Sequence, residues 1–415
     1  MMNKKIVICV ATLVGIMLGA GCGFSAQKEL TVWGWDFRAT KDIAPQVKQF
    51  EALHPEVKIK TINIAPEDLH HKVMMAYLSG TGAPDVTFEV DTNARKYYGT
   101  NTIYTFDDVI PNFRDIFVKA ISYRWTYEDH LWGVPYDMGT FLIFYRKDIF
   151  DEAGIEFPGD WQEFVEVGKK ITIPGKRYMV AWDGGKVAPL VQSRGGKITN
   201  IKNEVLFNNP ITADICQYLV DMVHKHKIAE YTNLYNVAAW VKIKEDRWAT
   251  IPAWYWYQSY ALKDMAYKPE LVGKWRIARM LPWKKGDPPT GAGFTCGGIW
   301  LVSTQTKYPK LAKEFAASLG TKEAQVSQAT RRGILPVNIL ALQELSRWQD
   351  PFFGGQKPYK IALEEMKDCP TMEFGSKYPV IDPELTVAVD AMMYEDVPVK
   401  KALDDAEKRA KEELR

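Results

Sequence analysis

The chain has 415 residues, too many for one ordinary core, and at about 150 residues per domain it divides into two or three. Its 53 Lys and Arg nearly balance 51 Asp and Glu, which argues against a nucleic-acid backbone or an anionic membrane surface as partner. Beyond Cys9 and Cys22 only Cys216, Cys296 and Cys369 remain, an odd number with no CxxC or Cys/His spacing, so neither a disulfide framework nor a zinc site nor any cofactor is indicated.

At the N-terminus, Lys4 and Lys5 precede an apolar run from Ile6 to Ala20 that stops at Gly21-Cys22. The run is shorter than the roughly 20 residues a spanning helix needs and carries the cationic lead of an export signal, so residues 1–21 are predicted to be a signal peptide. The small residues Gly19, Ala20 and Gly21 before Cys22 resemble the lipobox of bacterial lipoproteins, with Leu18 one place further from the cysteine than that box has it. The resemblance implies a lipid on Cys22, anchoring an exported protein at the extracytoplasmic face of the membrane or in the periplasm. Plain cleavage near Ala20 is the alternative.

Leu30 to Trp33 is a strand candidate, and Lys41 to Leu53 sets Ile43, Val47, Phe50 and Leu53 at helical spacing before His54-Pro55 ends the helix. Val57, Ile59 and Thr61 then alternate, closing a strand, helix, strand unit that implies a parallel pair and makes the first lobe α/β. Pro66 fits the first position of a helix through Leu69, Val73 and Tyr77 to Gly80, and Pro84-Asp85 launches the strand Val86 to Val90. Phe141 to Tyr145 is a continuous apolar strand, followed by a short helix around Asp148 that Gly154 ends. Asp160 is placed as N-cap of the next helix, with Glu163 set for a capping box and Trp161, Phe164 and Val165 turned to the core. Pro309 to Leu319 reads as a helix stopped by Gly320, Thr321 caps a successor, and Pro398 to Leu414 carries Leu403, Ala406 and Ala410 on one stripe.

Leu131-Trp-Gly-Val-Pro-Tyr136, Phe144-Tyr-Arg-Lys-Asp148-Ile-Phe150, Ala153-Gly154 and Trp161-Gln-Glu-Phe164 follow one another in a fixed order. With Ala83-Pro-Asp-Val86, Gly297-Gly-Ile-Trp300 and Gly333-Ile-Leu-Pro336 they resemble the extracellular solute-binding proteins of family 1, the maltose-type binders of ABC importers. The chain departs from that pattern at Arg247-Trp248-Ala249-Thr250, where the family has small residues. The resemblance implies a periplasmic-binding-protein-like α/β fold of two lobes, 27–137 with 291–335 and 138–290 with 336–415, enclosing a ligand cleft. It also implies a monomer that delivers a sugar or oligosaccharide to ABC transporter permease subunits. Crossings between the lobes are expected at Tyr136 to Gly139, Gly291 to Gly297 and Gly333 to Pro336.

A sugar needs flat aromatic surfaces for its C–H faces and planar polar groups for its hydroxyls, and ligands of open α/β sheets sit beyond the carboxyl ends of strands. By that rule Trp33, Trp35 and Asp36, Glu89 and Asp91, and Tyr136 and Asp137 are candidate ligand residues. So are Trp182 and Asp183, Arg194, the aromatic run Trp254-Tyr255-Trp256, and Gly297 with Gly298. Trp254 or Trp256 is the expected stacking ring, and the alternative for any one of these rings is a place in the core. Arg194 is also a possible donor to a phosphate, which keeps a phosphorylated polyol such as a glycerol phosphate ester as the second ligand class. The chain contains no G-x-S-x-G, H-E-x-x-H or G-x-x-x-x-G-K, so catalysis is not expected, although a glycosidase pair of carboxylates has no sequence signature to test. His70-His71 and His224-x-His226 diverge on a helix and are read as solvated, not as metal ligands.

Overall fold

The computed structural model describes residues 27–35, 41–288, 291, 297–369 and 375–415. The expected signal peptide, Cys22 and Asp36 lie outside the described residues. In chain order the two main sheets are built from β1 (Lys28–Gly34), β2 (Val57–Asn63), β3 (Val86–Val90), β4 (Val134–Pro135) and β5 (Phe141–Arg146). They continue with β6 (Tyr178–Trp182), β7 (Ala229–Tyr231), β8 (Trp248–Trp254), β9 (Trp275–Ala278) and β10 (Gly298–Val302).

The first sheet has the order β2-β1-β3-β10-β4 and the second β7-β6-β8-β5-β9. β1 runs parallel to β2 and β3, as the alternating Val57 and Ile59 predict, and β10 returns antiparallel beside β3. The second sheet repeats the plan: β6 is parallel to β7 and β8, while β5 is antiparallel to β8 and β9. β5 is apolar at every position from Phe141 to Phe144 because both its faces are covered: Phe141 and Ile143 join one core cluster, Leu142 and Phe144 the other.

Local signals fixed most element boundaries. Pro66 opens the helix Pro66–Ser79, which ends on Gly80 in the left-handed conformation, φ 71°, where only glycine is unstrained. Asp160 caps Trp161–Ile171 by accepting from the Gln162 and Glu163 N–H groups. Glu163 reaches back one residue further than a capping box, accepting from the Gly159 N–H at 2.7 Å. Thr321 caps Lys322–Arg332 through the Ala324 N–H, and Leu403, Ala406 and Ala410 are buried along Val399–Glu413. Ile43, the N-cap of Ala44–Leu53, and Phe50 within that helix enter the core, but Leu53 at its last residue is 71 % exposed.

The chain passes from the first sheet to the second between β4 and β5, and a second segment runs beside that crossing. Asp137–Met138 pairs antiparallel with Leu335–Pro336, Asp137 opposite Pro336 and Met138 opposite Leu335. The Ile339–Leu345 helix that follows packs on Lys322–Arg332 and on Phe113–Ile116. Further back, Gly291 donates its N–H to the Asp368 carbonyl, and the Gly297 carbonyl accepts from the Asp91 N–H at 2.9 Å.

Candidate functional site

A cavity of about 400 Å³ lies between the sheets. From the first sheet's side it is lined by Trp35 past the end of β1, Pro66 after β2, Val90 ending β3, and Tyr136 at the first crossing. From the second come Tyr235 after β7 and Trp256, Ser259 and Tyr260 after β8. The carboxyl ends of parallel strands in both sheets therefore face one space, the arrangement open α/β sheets use for ligands.

The second-sheet wall is aromatic: Tyr235 lies 5.7 Å from Trp256 at an interplanar angle of 30°, and Tyr260 meets Trp256 edge-on at 6.1 Å. Opposite, Trp35 is braced edge-on by Phe88 at 4.6 Å and His70 at 5.3 Å. Among the described residues of this lining, Asp42 and Arg332 are the charged groups. The Tyr136 hydroxyl donates to Asp42 Oδ2 at 3.0 Å, and Arg332 Nε stands 2.9 Å from Asp42 Oδ1. Flat rings beside planar, pre-oriented polar groups suit a ligand with apolar faces and a polar rim.

Of the residues selected from sequence, the cavity gathers Trp35, Tyr136 and Trp256. The others stand elsewhere. Trp33 is half-buried within β1, opposite Ile62. Glu89 is wholly buried, with Nδ1 of the half-buried His70 at 2.6 Å; burial raises the Glu89 carboxyl above the ordinary range despite the opposing pull of His70 and Lys96. Asp91 is buried in an ion pair with Arg124, whose Nη2 donates to Asp91 Oδ1 at 3.1 Å. Asp137 accepts from the Gly298 N–H at 2.7 Å and so ties the first crossing to β10.

Gly297 and Gly298 are places of close approach: a Cβ at Gly297 would sit 2.6 Å from the Asp137 carbonyl, and one at Gly298 2.2 Å from the Phe88 ring. Trp182 is buried against Trp161 at 5.9 Å, Trp254 against Phe141 at 4.9 Å, and Tyr255 against Tyr359 at 5.6 Å. Asp183 caps the short Gly184–Lys186 helix through the Gly185 N–H. Arg194 lies 4.9 Å above the Trp283 ring in a separate concavity of about 530 Å³ on the second sheet's side, with Trp161, Asp214 and Tyr218. The family departure at Arg247-Trp248 falls at the amino end of β8, where both side chains bond Glu230, remote from the cavity.

Sequence reasoning missed Tyr235, Tyr260, Asp42 and Arg332. Tyr235 sits on a loop with no strand-end signal, and Asp42 and Arg332 come from helix termini 290 residues apart that only the fold brings together.

Two sheets, joined by the crossing at Asp137–Met138 and sharing an aromatic cavity, define a ligand-capturing protein of the two-lobed binding class. Residues 46–351 match the family described as bacterial extracellular solute-binding protein, and the chain belongs to that family. It is 24% identical to the arabinooligosaccharide-binding protein of Bacillus subtilis (strain 168), over 97% of this chain and 98% of that one. It is also 24% identical to the lactose-binding protein of Rhizobium radiobacter, over 92% of each chain. The fold is that of the GacH receptor of Streptomyces glaucescens GLA.O, solved unliganded and with acarbose: TM-score 0.78 at 16% identity, over 93% of this chain and 98% of that one. Among the described residues no helix is long and apolar enough to cross a membrane.

Proposed function

We propose that the chain captures a sugar or short oligosaccharide in the cavity between the sheets and hands it to the permease of an ABC importer, without chemical turnover. The observation that carries this reading is the meeting of Trp35 and Tyr136 from one sheet with Tyr235, Trp256 and Tyr260 from the other around a single space. Rings on both sides let one ligand contact both bodies. Such a ligand stabilises the closed state by its differential affinity, and a permease can then distinguish loaded from empty protein. The names of the two relatives point the same way.

The crossing at 137–138, paired with 335–336, serves as a hinge in this reading, and the first lobe runs on past 335 to about Leu345, since Ile339–Leu345 packs there. Binding without catalysis is supported by Asp42: glycoside hydrolysis needs two working carboxylates, and the one carboxylate among the described lining residues is engaged by Tyr136 and Arg332. Export and a lipid on Cys22 fit a chain that works outside the membrane beside its permease.

A thermal-shift panel tests the assignment, because a ligand that binds only the folded chain raises its melting temperature. Arabinotriose, lactose or maltotriose should raise it. If glycerol 3-phosphate or glycerophosphocholine raises it and the sugars do not, the ligand is a phosphate ester. Release of reducing ends that survives purification would make the protein a hydrolase.

A further inference from the structure

A second space adjoins the cavity. It measures about 350 Å³, against about 400 Å³ for the cavity itself, and Ser259 and Arg332 line both. Each volume falls within the roughly 300–1,000 Å³ that small-molecule pockets span, so each can take a ligand unit of its own. The Gln258–Met265 helix after β8 contributes Lys263 and Asp264 to the second space, and the end of Lys322–Arg332 contributes Thr330 and Arg331. Trp348, on the turn after Ile339–Leu345, completes the wall.

Trp348 is 41 % exposed, so part of its ring is open to this space. The ring is nonetheless held in place. The Trp348 backbone N–H donates to the Leu345 carbonyl at 2.9 Å, the indole lies 5.9 Å from the buried Tyr359, and Lys263 Nζ stands 5.7 Å from its centre. Tyr359 is anchored by donating to the Ala329 carbonyl at 3.0 Å, and Lys263 by an ion pair with the buried Asp350. A ring fixed by its neighbours yet open on one side stacks on an apolar ligand face at little cost in ordering.

Acceptors surround it. The exposed Asp264 carboxylate has no partner among the described residues. The Ser259 and Thr330 hydroxyls donate to the Trp256 and Val326 carbonyls, each at 2.9 Å, which leaves both oxygens able to accept. The cations are already engaged: Arg331 donates to the Lys41 and Asp42 carbonyls, and Lys263 pairs with Asp350. Such a lining suits hydroxyl groups better than a phosphate.

We propose that this space is a second sugar subsite, with Trp348 as its stacking ring and Asp264 as a hydroxyl acceptor. The ligand is then a neutral chain of at least two sugar units, one between the cavity's rings and the next past Ser259. The inference rests on the carbohydrate reading above, and its test separates the two.

Calorimetric titration of the full chain with sugars of increasing length supplies that test: arabinose to arabinotriose, glucose to maltotriose, and galactose to lactose, with weak members read by displacement. In the series that binds, wild type should hold the longest member about tenfold more tightly than the shortest, and Trp348→Ala should bring that ratio close to one. A wild type with no preference for length overturns the inference. So does a Trp348→Ala chain that keeps the wild-type ratio, whether its affinities are unchanged or fall equally at every length. Should Trp348→Ala fail to fold, Asp264→Ala decides, since it alters only an exposed side chain: an unchanged ratio overturns the inference. A wild type that binds no member of any series overturns the carbohydrate reading and the inference together.

Discussion

Gln325 donates through Nε2 to the Tyr136 carbonyl at 3.1 Å, and the same side chain joins the crossing between the sheets to the strand that pairs with it. Its amide also donates to the Pro135 carbonyl at 3.0 Å, while its oxygen accepts from the Val337 and Asn338 N–H groups at 2.9 and 2.8 Å. The residue is fully buried, so no water can replace it. Gln325→Met should cost about 2–4 kcal/mol of stability, because backbone groups of both paired segments lose a buried partner. The urea midpoint measures this, and an unchanged midpoint would mean that the two segments hold their geometry without it.

Gly298 tests the close packing of β10 on β3. An added methyl group would meet the Phe88 ring, which in turn braces Trp35. Gly298→Ala should destabilise by about 1–3 kcal/mol as an overpacked site and should also weaken ligand binding by moving Trp35. Thermal melts and titration on the same sample read both effects.

Arg194 provides a control for the position of the site. It faces the concavity with Trp283 and Asp214, not the space between the sheets. Arg194→Ala should leave ligand affinity within about twofold of wild type, as surface changes away from a site do. A large loss in the titration would move the binding site to that concavity.

Glu89 should make stability depend on pH. Its carboxyl is raised by burial, so the folded chain keeps a proton at pH values where the unfolded chain has lost it. Its contribution is then complete below the unfolded pKa and is lost as pH rises through the folded value. Glu89→Gln should match wild type in acid and become the more stable from about pH 5 upward. Melts at stepped pH test this, and a wild type that stays the more stable at pH 8 would show that the contact with His70 outweighs burial.

The elements that were legible in the sequence are those with local causes: Pro66 and Gly80 at helix ends, the Asp160 and Thr321 caps, the unbroken apolar run of β5. The site was legible only in part. Strand-end reasoning locates a residue along the cleft edge but not the face it takes, since successive side chains alternate. Trp35 and Tyr136 therefore reach the cavity, while Glu89 and Asp91, at the end of β3, turn to His70 and Arg124. Tyr235 could not be chosen from sequence because it stands on a loop and meets Lys186, 49 residues earlier, only through the fold.

The central claim is that one carbohydrate is held between rings contributed by both sheets. Calorimetric titration of wild type, Trp35→Ala and Trp256→Ala with the sugar that most raises the melting temperature tests it directly. Each variant should fold and lose affinity by about ten- to a hundredfold, because each removes one of the facing walls. Full affinity in both would contradict the account and place the ligand elsewhere.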